Sequence, residues 1–269
     1  MIIKYDWSKR KKRYRATKRS NKKKILLIGY SKSGKTRLAS TAPNPLFINT
    51  DHSMEGIHPD SDPEVVDIFR TDKNIGETVR EAIFAVRDRK EGFENIETLV
   101  FDGVTTLSDF LLYEAMLNSE ISRKVHDPFL QKPERDEYGI IKNILMSLFT
   151  LIDELDCHII ATAGIKLDTP DSKTGKKKMD GYTSIRSTIL PDIAGSFRDS
   201  IAGRFTGVFF MDERNRKYYA YPYHPENIAV GVRNWMGPPK VENPDFQKLL
   251  DGFDPDKKFI VDESNKLSL

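Results

Sequence analysis

Residues 25–36 read Ile-Leu-Leu-Ile-Gly-Tyr-Ser-Lys-Ser-Gly-Lys-Thr, a short apolar run followed by a glycine-containing loop. The run predicts a buried strand that ends at Gly29, and the residues from Lys35 onward predict a helix. The spacing Gly-x4-Gly-Lys-Thr is that of a phosphate-binding loop, or P-loop. Its glycines let backbone N–H groups converge on phosphate oxygens, and the helix behind the loop adds the positive end of its dipole. The stretch therefore predicts an α/β nucleotide-binding core.

The P-loop predicts ATP and Mg²⁺ as cofactors. In this motif the lysine, Lys35, reaches the β- and γ-phosphates, and the hydroxyl of Thr36 binds Mg²⁺. The predicted nucleotide contacts are Gly29, Ser31, Lys32, Ser33, Gly34, Lys35, Thr36 and Arg37. The alternative is a glycine-rich turn with an accidental Lys-Thr pair. The strand before the loop and the helix after it argue against that alternative.

Carboxylates that follow two later strands are candidates for the metal and for water activation. Asp102 ends the apolar run 98–102, where a carboxylate can hold the water shell of Mg²⁺; the alternative is a turn or capping role. The next residue is Gly103, whereas many P-loop ATPases carry a glutamate there. We therefore expect Asp51, just beyond the predicted strand 46–49, to orient the attacking water. Glu55 is a second candidate, and helix capping is the alternative for Asp51.

Strands alternate with helices from residue 25 to about residue 163, which predicts a mostly parallel sheet with helices on both faces. A C-terminal antiparallel hairpin at 207–211 and 217–221 is expected to extend one edge. Further predicted elements are a strand at 65–69, helices at 75–89, 107–121 and from 141 onward, a strand at 158–163, loops at 123–137 and 166–183, and a short helix at 246–250. The expected division is a basic arm (1–24), an ATPase core (25–235) and a C-terminal tail (236–269).

Charge is distributed unevenly along the chain. The first 24 residues hold twelve Lys or Arg and one acidic residue, although the whole chain is only +3. Such a block of like charge is typical of arms that bind nucleic acid. The single cysteine, Cys157, excludes an internal disulfide and fits a reducing compartment. With no secretory signal and no apolar run long enough for a bilayer, the expectation is a cytoplasmic protein without a membrane partner.

The order of these motifs resembles that of RecA-like ATPases, and more closely the phage RecA-like proteins that assist single-strand annealing and recombination. The P-loop, the strand ending at Asp51 and the strand ending at Asp102 carry the first resemblance. Three later segments carry the second: 157–163 is similar to that family's sensor strand, 190–195 to the segment after its mobile loop, and 232–250 to its C-terminal end. The resemblance covers roughly residues 25–251.

The resemblance implies a RecA-type core, ATP-dependent binding of single-stranded DNA, and assembly into homo-oligomeric rings or filaments, with a single-strand binding protein as a further partner. It places Asp51 where the family has its catalytic glutamate and Thr162 on the sensor strand. It also implies that Arg233 reaches the γ-phosphate of a neighbouring subunit. A phage source, and hence the host cytoplasm, is implied in the same way. The sequence departs from the family pattern at Asp51, which is one methylene short, at Gly164, where a polar sensor is expected, and at Gly231.

Two basic segments are candidate DNA contacts. The arm contributes Lys9, Arg10, Lys11, Lys12 and Arg13, with aromatic residues interleaved that can stack on unpaired bases. The loop after the sensor strand contributes Lys173, Lys176, Lys177 and Lys178, at the position where the resemblance places a DNA-binding loop. The alternatives are a solubilising, packing or address tail and a solvated loop. The tyrosines at 218–223 are interpreted as a hairpin face, and His158 and Cys157 as buried structural residues.

These patterns predict an ATPase whose hydrolysis is stimulated by single-stranded DNA and which promotes annealing or strand pairing. One rival is an ATP-gated interaction or scaffold protein that hardly hydrolyses, which Gly164 and the short side chain of Asp51 favour. Another is a small-molecule kinase, which the lysine-rich loop and the basic arm disfavour. A helicase-loading or RNA-directed P-loop ATPase stays open.

Overall fold

The computed structural model describes residues 22–118, 132–168, 188–223, 230–257 and 259. The strands are β1 (Lys24–Gly29), β2 (Pro45–Asn49), β3 (Glu64–Asp67), β4 (Thr98–Asp102), β5 (His158–Ala163), β6 (Ile165–Asp168), β7 (Thr188–Pro191), β8 (Gly207–Arg214), β9 (Lys217–Tyr221), β10 (Gly231–Val232) and β11 (Val241–Glu242). The helices are α1 (Lys35–Ser40), α2 (Ile75–Arg87), α3 (Val104–Asn118), α4 (Arg135–Leu151), α5 (Arg198–Ile201) and α6 (Phe246–Asp251).

Nine of the described strands form one sheet. Their order is β11–β9–β8–β1–β5–β4–β2–β3, and β10 pairs with β8 beside this path. The six strands from β8 to β3 run parallel, whereas β9 and β10 run antiparallel to β8. The central position of β1 puts the P-loop in the middle of the sheet. Strands β6 and β7 form a separate two-stranded antiparallel ribbon.

The two faces of the sheet bury two apolar layers, because alternate side chains of each strand point to opposite faces. One layer joins Leu26, Phe101 and Ile159 with the apolar sides of α2, α3 and α4. The other joins Ile25, Leu27, Val100 and Ile160 with residues of α1 and α6. Helices therefore cover both faces, as expected when parallel strands are buried on both sides.

The architecture predicted from the sequence is confirmed: an α/β core that carries the P-loop, with a mostly parallel sheet, helices on both faces and a C-terminal antiparallel hairpin. Several boundaries were wrong, and three of them concern elements near the site or the loop after β5. Helix α3 begins at Val104, directly after the turn at Gly103, and α4 begins at Arg135 inside the predicted loop. The α4 start is fixed by a capping box in which Glu134 and Glu137 satisfy each other's backbone N–H groups. Ribbon strand β6 occupies the start of the loop predicted at 166–183.

The described residues after Trp235 include two elements that pack onto the sheet that carries the P-loop. Strand β11 pairs with β9, and the buried side chains of α6 belong to the apolar layer that contains Ile25 and Leu27. Trp235 fixes this packing: its indole N–H donates to the carbonyl oxygen of Pro238 (3.0 Å), and its ring lies edge-on to Phe209 and Phe253. The face of the ring lies against Gly252, where a Cβ atom would overlap it.

We expect Gly252→Ala to lower the free energy of unfolding by about 3 kcal/mol, because overpacking a rigid aromatic ring forces neighbouring groups to move. The backbone at Gly252 has φ −65°, which any residue adopts, so the loss would come from the clash with Trp235 alone. Urea unfolding followed by tryptophan fluorescence measures it.

Gly139→Ala is the matched control for this substitution. Gly139 lies exposed in the middle of α4, and a Cβ atom there meets nothing within 4 Å. The same change should therefore raise the free energy of unfolding by about 0.5–1 kcal/mol through helix propensity. Equal effects of the two substitutions would contradict the assigned packing of Trp235.

Candidate active site

Four parallel strands bring the predicted site residues to one edge of the sheet. Strands β1, β5, β4 and β2 are neighbours, and each ends at the same edge because they run in the same direction. Register confirms the alignment, since Leu27 faces Thr162 and Asn49 faces Asp102 across the ladders. The P-loop, Asp51, Asp102 and Thr162 therefore surround the carboxyl end of the parallel strands.

The two motif glycines occupy positions where a side chain does not fit. A Cβ atom at Gly29 would lie 2.8 Å from Ser33 Oγ and would overlap the carbonyl oxygen of Met211. Gly34 has φ +85°, and a Cβ atom there would lie 2.6 Å from Cδ1 of Tyr218. The loop is thus wound tightly enough to direct its N–H groups inward, as a phosphate cradle requires.

Lys35 lies folded against its own loop. Its ammonium group donates hydrogen bonds to the carbonyl oxygens of Gly29 (3.0 Å) and Tyr30 (2.7 Å). Burial lowers the pKa of Lys35, and the nearby carboxylates of Asp102 and Asp51 oppose that shift. The positive charge therefore stands between the P-loop and two carboxylates, where phosphate oxygens can replace the carbonyl acceptors.

Asp102 is the most buried charged side chain at this edge, with 1% of its surface exposed. Its carboxylate accepts hydrogen bonds from the hydroxyls of Thr36 (3.0 Å) and Thr162 (2.7 Å). The Thr162 hydroxyl in turn accepts the backbone N–H of Gly103 (2.8 Å). Burial raises the pKa of Asp102, while the hydrogen bonds from Thr162 and Thr36 lower it. Two hydroxyls therefore hold one carboxylate directly beneath the P-loop.

The oxygen atoms at this position suit Mg²⁺. Thr36 offers a hydroxyl and Asp102 a carboxylate, and hard oxygen donors of this kind, few in number, are what Mg²⁺ takes from proteins when phosphates and waters complete its shell. A buried carboxylate that lacks a direct ion pair is also costly, and a divalent cation offsets that cost. Thr36 and Asp102 would hold the ion, which neutralises phosphate charge during hydrolysis.

Asp51 lies beside the turn that follows Asp102. The two segments touch closely, since a Cβ atom at Gly103 would lie 2.9 Å from Cβ of Asp51. The Thr50 hydroxyl stabilises this contact by donating a hydrogen bond to the carbonyl oxygen of Gly103 (2.8 Å). Asp51 itself is exposed, as is Glu55, which sits on a 3-10 turn packed against Thr36 through Gly56. Both carboxylates thus remain within this edge of the sheet.

Arg233 lies at the opposite edge of the sheet in its own chain. It follows β10, whose Val232 faces Gly207, and Gly207 faces Ile25 at the start of β1. Gly29 lies four positions beyond Ile25 along β1, so the Cα atoms of these two residues are about 13 Å apart. The Arg233 side chain is exposed and donates to the carbonyl oxygen of Gly203 (3.2 Å). It cannot reach the P-loop of the chain that carries it.

Comparison with known protein families identifies the class of site. A family model described as AAA domain (AAA_24) matches residues 21–233, which is more than half of the chain. The chain belongs to this family. The match includes the P-loop, Asp51, Asp102, Thr162 and Arg233, so every described residue of the candidate site lies inside the AAA domain.

Comparison with solved structures gives a more distant likeness. A KaiC-like protein from the hyperthermophilic archaeon Pyrococcus horikoshii OT3 is 15% identical to the AAA domain chain, with a TM-score of 0.35. The alignment covers 74% of this chain and 77% of that one. The comparison with curated proteins gives no match.

The predicted DNA contacts fall outside the described residues. This holds for Lys9, Arg10, Lys11, Lys12 and Arg13 and for Lys173, Lys176, Lys177 and Lys178. The structure does place β6 directly after β5, at the edge that holds Asp102, and the sequence between β6 and β7 contains the four lysines of the second set. None of the helices in 22–118, 132–168, 188–223 and 230–257 has the length and apolar character to cross a bilayer.

Cys157 and His158 are buried, as predicted. Burial raises the pKa of the Cys157 thiol to about 11 and lowers that of His158 to about 4. His158 accepts the backbone N–H of Lys23 through Nδ1 (3.1 Å) at the start of β5, remote from the P-loop edge. The part of the chain that the structure describes holds no group of three or more His, Cys, Asp or Glu that could bind a metal.

Sequence reasoning missed two residues that shape the site of this AAA domain. Tyr218 was interpreted only as part of a hairpin face, yet its ring lies against Gly34, and the Arg37 guanidinium lies 5.9 Å from the ring centre. Thr50 was not singled out, although its hydroxyl ties the end of β2 to the turn after Asp102. The only sequence signal for Thr50 was its place between a strand and a candidate carboxylate; Tyr218 had none.

Proposed function

We propose that this P-loop ATPase domain hydrolyses Mg-ATP, binds single-stranded DNA in an ATP-dependent way and promotes strand annealing or pairing. The observation that carries the hydrolytic part is the cluster of Lys35, Thr36, Asp102 and Thr162 at one edge of the sheet. Lys35 holds the β- and γ-phosphates, and Asp102 with Thr36 holds the metal ion. Asp51, exposed beside the same turn, orients the attacking water.

The DNA-binding part is supported by continuity of the chain. The ribbon β6–β7 leaves the sheet at Gly164, one residue beyond β5, whose Thr162 bonds to Asp102. The segment between the two ribbon strands carries Lys173, Lys176, Lys177 and Lys178. Lysine contacts to phosphate give affinity that falls steeply with salt and has little sequence preference. The basic arm, with its interleaved aromatic residues, supplies a second contact of the same kind.

The primary experiment measures ATP hydrolysis with and without single-stranded DNA at low and moderate salt. We expect stimulation that weakens as salt rises, and its loss when the four lysines at 173–178 are changed to Gln. A matched control changes four exposed lysines elsewhere, namely Lys73, Lys90, Lys132 and Lys142. RNA of equal length is the competitor that tests the choice of nucleic acid. ATP binding without stimulation by either polymer would contradict the proposal.

Assembly is part of the proposal because Arg233 cannot reach its own P-loop. We expect each variant to be inactive by itself. Arg233→Ala lacks the arginine finger, the side chain that reaches the γ-phosphate of a neighbouring subunit, and Lys35→Ala lacks the phosphate site. Mixed in equal amounts, they should recover about a quarter of the wild-type rate, because about one interface in four then pairs an intact site with an intact finger. Hydrolysis per chain should also rise with protein concentration. A mixture no more active than its components would contradict action in trans.

A second candidate is an ATP-gated interaction protein with little hydrolysis. Two observations favour it: Asp51 is shorter than a glutamate, and Gly164 brings no polar side chain to the end of β5. Single-turnover hydrolysis at saturating protein, with and without DNA, separates the two candidates. A rate that stays at the level of Lys35→Ala in both conditions would favour the gated scaffold.

A further inference from the structure

The ribbon β6–β7 is attached at its beginning to the helix that follows Asp102. Gly164 joins β5 to β6 and has no side chain, but its backbone N–H donates a hydrogen bond to Thr105 Oγ1 (2.9 Å). A Cβ atom at Gly164 would lie only 3.4 Å from the same oxygen, so the two groups are in direct contact. Thr105 lies in the first turn of α3, three residues beyond Asp102. The Thr105 side chain therefore links the start of the ribbon to α3 through the backbone of Gly164.

The end of the ribbon is attached to the same helix one turn later. The backbone N–H of Ala194, shortly after β7, donates to Ser108 Oγ (3.1 Å). Ser108 is fully buried, and its hydroxyl donates to the carbonyl oxygen of Thr105 (2.7 Å). The ribbon is closed on itself where it leaves the sheet, because the N–H of Asp192 bonds to the carbonyl oxygen of Gly164 (2.9 Å). Two hydroxyls on one helical turn therefore hold both ends of the ribbon.

A short connection joins the start of α3, which carries Thr105 and Ser108, to the carboxylate proposed to bind the metal. Only Gly103 and Val104 separate Asp102 from Thr105; Gly103 donates its N–H to Thr162, and Val104 is fully buried. Only a two-residue turn, held by these contacts, therefore lies between Asp102 and Thr105. The ribbon has no comparable attachment to α1 or to the P-loop among the hydrogen bonds of the described residues.

We propose that Thr105 and Ser108 are positioning residues that tie the β6–β7 ribbon to the turn after Asp102, so that Mg-nucleotide binding changes the ribbon. They touch neither phosphate nor metal, and they act through the backbone amides of Gly164 and Ala194. The consequence for DNA rests on the function proposed above: the ribbon strands flank the segment with Lys173, so DNA stimulation of hydrolysis depends on the same two hydroxyls.

Hydrogen exchange of the backbone amides tests the tie without any DNA. Wild type, Thr105→Val with Ser108→Ala, and the control Thr106→Val, the next threonine on α3, are compared with and without a Mg²⁺ complex of a non-hydrolysable ATP analogue. In wild type and control we expect the analogue to slow exchange at 165–168 and 188–190 by at least about threefold. In the double variant the two conditions should agree, while affinity for the analogue stays within about twofold.

Rescue separates positioning from general stability. Thr105→Ser keeps the hydroxyl and should keep the response of the ribbon to the analogue. Thr105→Val alone should weaken that response. Thr105→Val also replaces the double variant if the buried Ser108→Ala change prevents folding. The proposal is overturned if the analogue leaves exchange in the ribbon unchanged in wild type. It is also overturned if the double variant Thr105→Val with Ser108→Ala responds like wild type. If the double variant does not fold, the same criterion applies to Thr105→Val alone.

The same variants are then assayed for hydrolysis with single-stranded DNA. We expect the double variant to keep the basal rate and the KM for ATP within about twofold and to lose most of the DNA-stimulated increase in kcat. If DNA stimulates hydrolysis by the double variant as strongly as by wild type, the two hydroxyls do not link the ribbon to DNA stimulation. If wild type itself shows no stimulation, the proposed DNA function fails, while the exchange experiment still decides whether Thr105 and Ser108 tie the ribbon to the nucleotide site.

Discussion

Lys35→Ala is expected to lower ATP hydrolysis by at least about 100-fold and to abolish measurable ATP binding. Lys35 carries the positive charge nearest to the P-loop carbonyl oxygens, with Asp102 and Asp51 on its other side. Removing the ammonium group leaves these two carboxylates uncompensated, so the site would then repel the phosphates of ATP. Titration with a fluorescent ATP analogue and a steady-state hydrolysis assay measure the two losses.

The control for this prediction is Lys90→Ala, which removes the same charge from an exposed position between the end of α2 and the start of β4, at the opposite edge of the sheet. It should leave binding and hydrolysis within about twofold of wild type, since a single exposed charge contributes little at a distance beyond the screening length. Lys35→Arg should not restore activity, because the planar guanidinium differs from a compact ammonium in shape and in hydrogen-bond geometry. Wild-type affinity in Lys35→Ala would remove the basis for the phosphate site.

Asp102→Asn is expected to lower hydrolysis by at least about 100-fold while leaving the fold intact or more stable. Asparagine keeps the shape of the side chain and can still accept a hydrogen bond from Thr162 or Thr36. It removes a buried charge that the folded chain carries without a direct ion pair, which should raise the free energy of unfolding by about 1 kcal/mol in the absence of Mg²⁺. Loss of function with a gain in stability is the signature of a metal-binding carboxylate.

The pH dependence of this stability difference follows from the shifted pKa. Burial raises the pKa of Asp102 above its usual value, so the folded chain favours the protonated carboxyl. Wild type therefore loses stability as pH rises through the folded pKa, and Asp102→Asn does not. The advantage of the variant should be smallest in acid and largest at neutral pH. Chemical unfolding in EDTA across this range measures it, with Asp62→Asn at an exposed loop position before β3 as control.

A stability advantage that vanishes when Mg²⁺ and ATP are added would support the assignment further. Wild type should gain stability from Mg-ATP in proportion to the logarithm of its concentration, whereas Asp102→Asn should gain much less. If the variant hydrolyses ATP at the wild-type rate, Asp102 is a structural residue and the metal site lies elsewhere.

The central strands and the P-loop were predictable because their signals are local. Short apolar runs bounded by glycine or proline predicted β1, β2, β4 and β5 to within one residue. Their carboxyl ends had to meet at one edge once the strands were parallel, so the sequence predicted that Asp102 and Thr36 serve one magnesium site, although not the hydrogen bond between them. The same reasoning brought Asp51 to this edge, whereas Thr162 was singled out only through the family resemblance. Hydrophobic periodicity and turn chemistry are properties of neighbouring residues and need no tertiary information.

Other features depend on contacts between distant segments. Strands β7, β10 and β11 are short and were not predicted, because each exists through pairing with a partner and has no apolar pattern of its own. Residues 236–269 were interpreted as a tail with a short helix, and no local pattern indicated where that helix packs. In the structure α6, together with Trp235, contacts the apolar layer on one face of the central sheet. The local sequence Trp235-Met236-Gly237-Pro238 gives no indication of which surface the ring of Trp235 will cover.

The sequence by itself determined the fold class, the P-loop and the carboxylate beneath it, since each follows from residue types at fixed spacing. Only the tertiary structure decided that Thr162 and Thr36 share Asp102, that Arg233 faces away from its own P-loop, and that Thr105 and Ser108 hold the ribbon. The hydrogen bonds of Thr36, Thr162, Thr105 and Ser108 join residues 59 to 86 positions apart. Hydroxyl groups bond to whichever amide the folded sheet brings near them, so no local pattern encodes the choice.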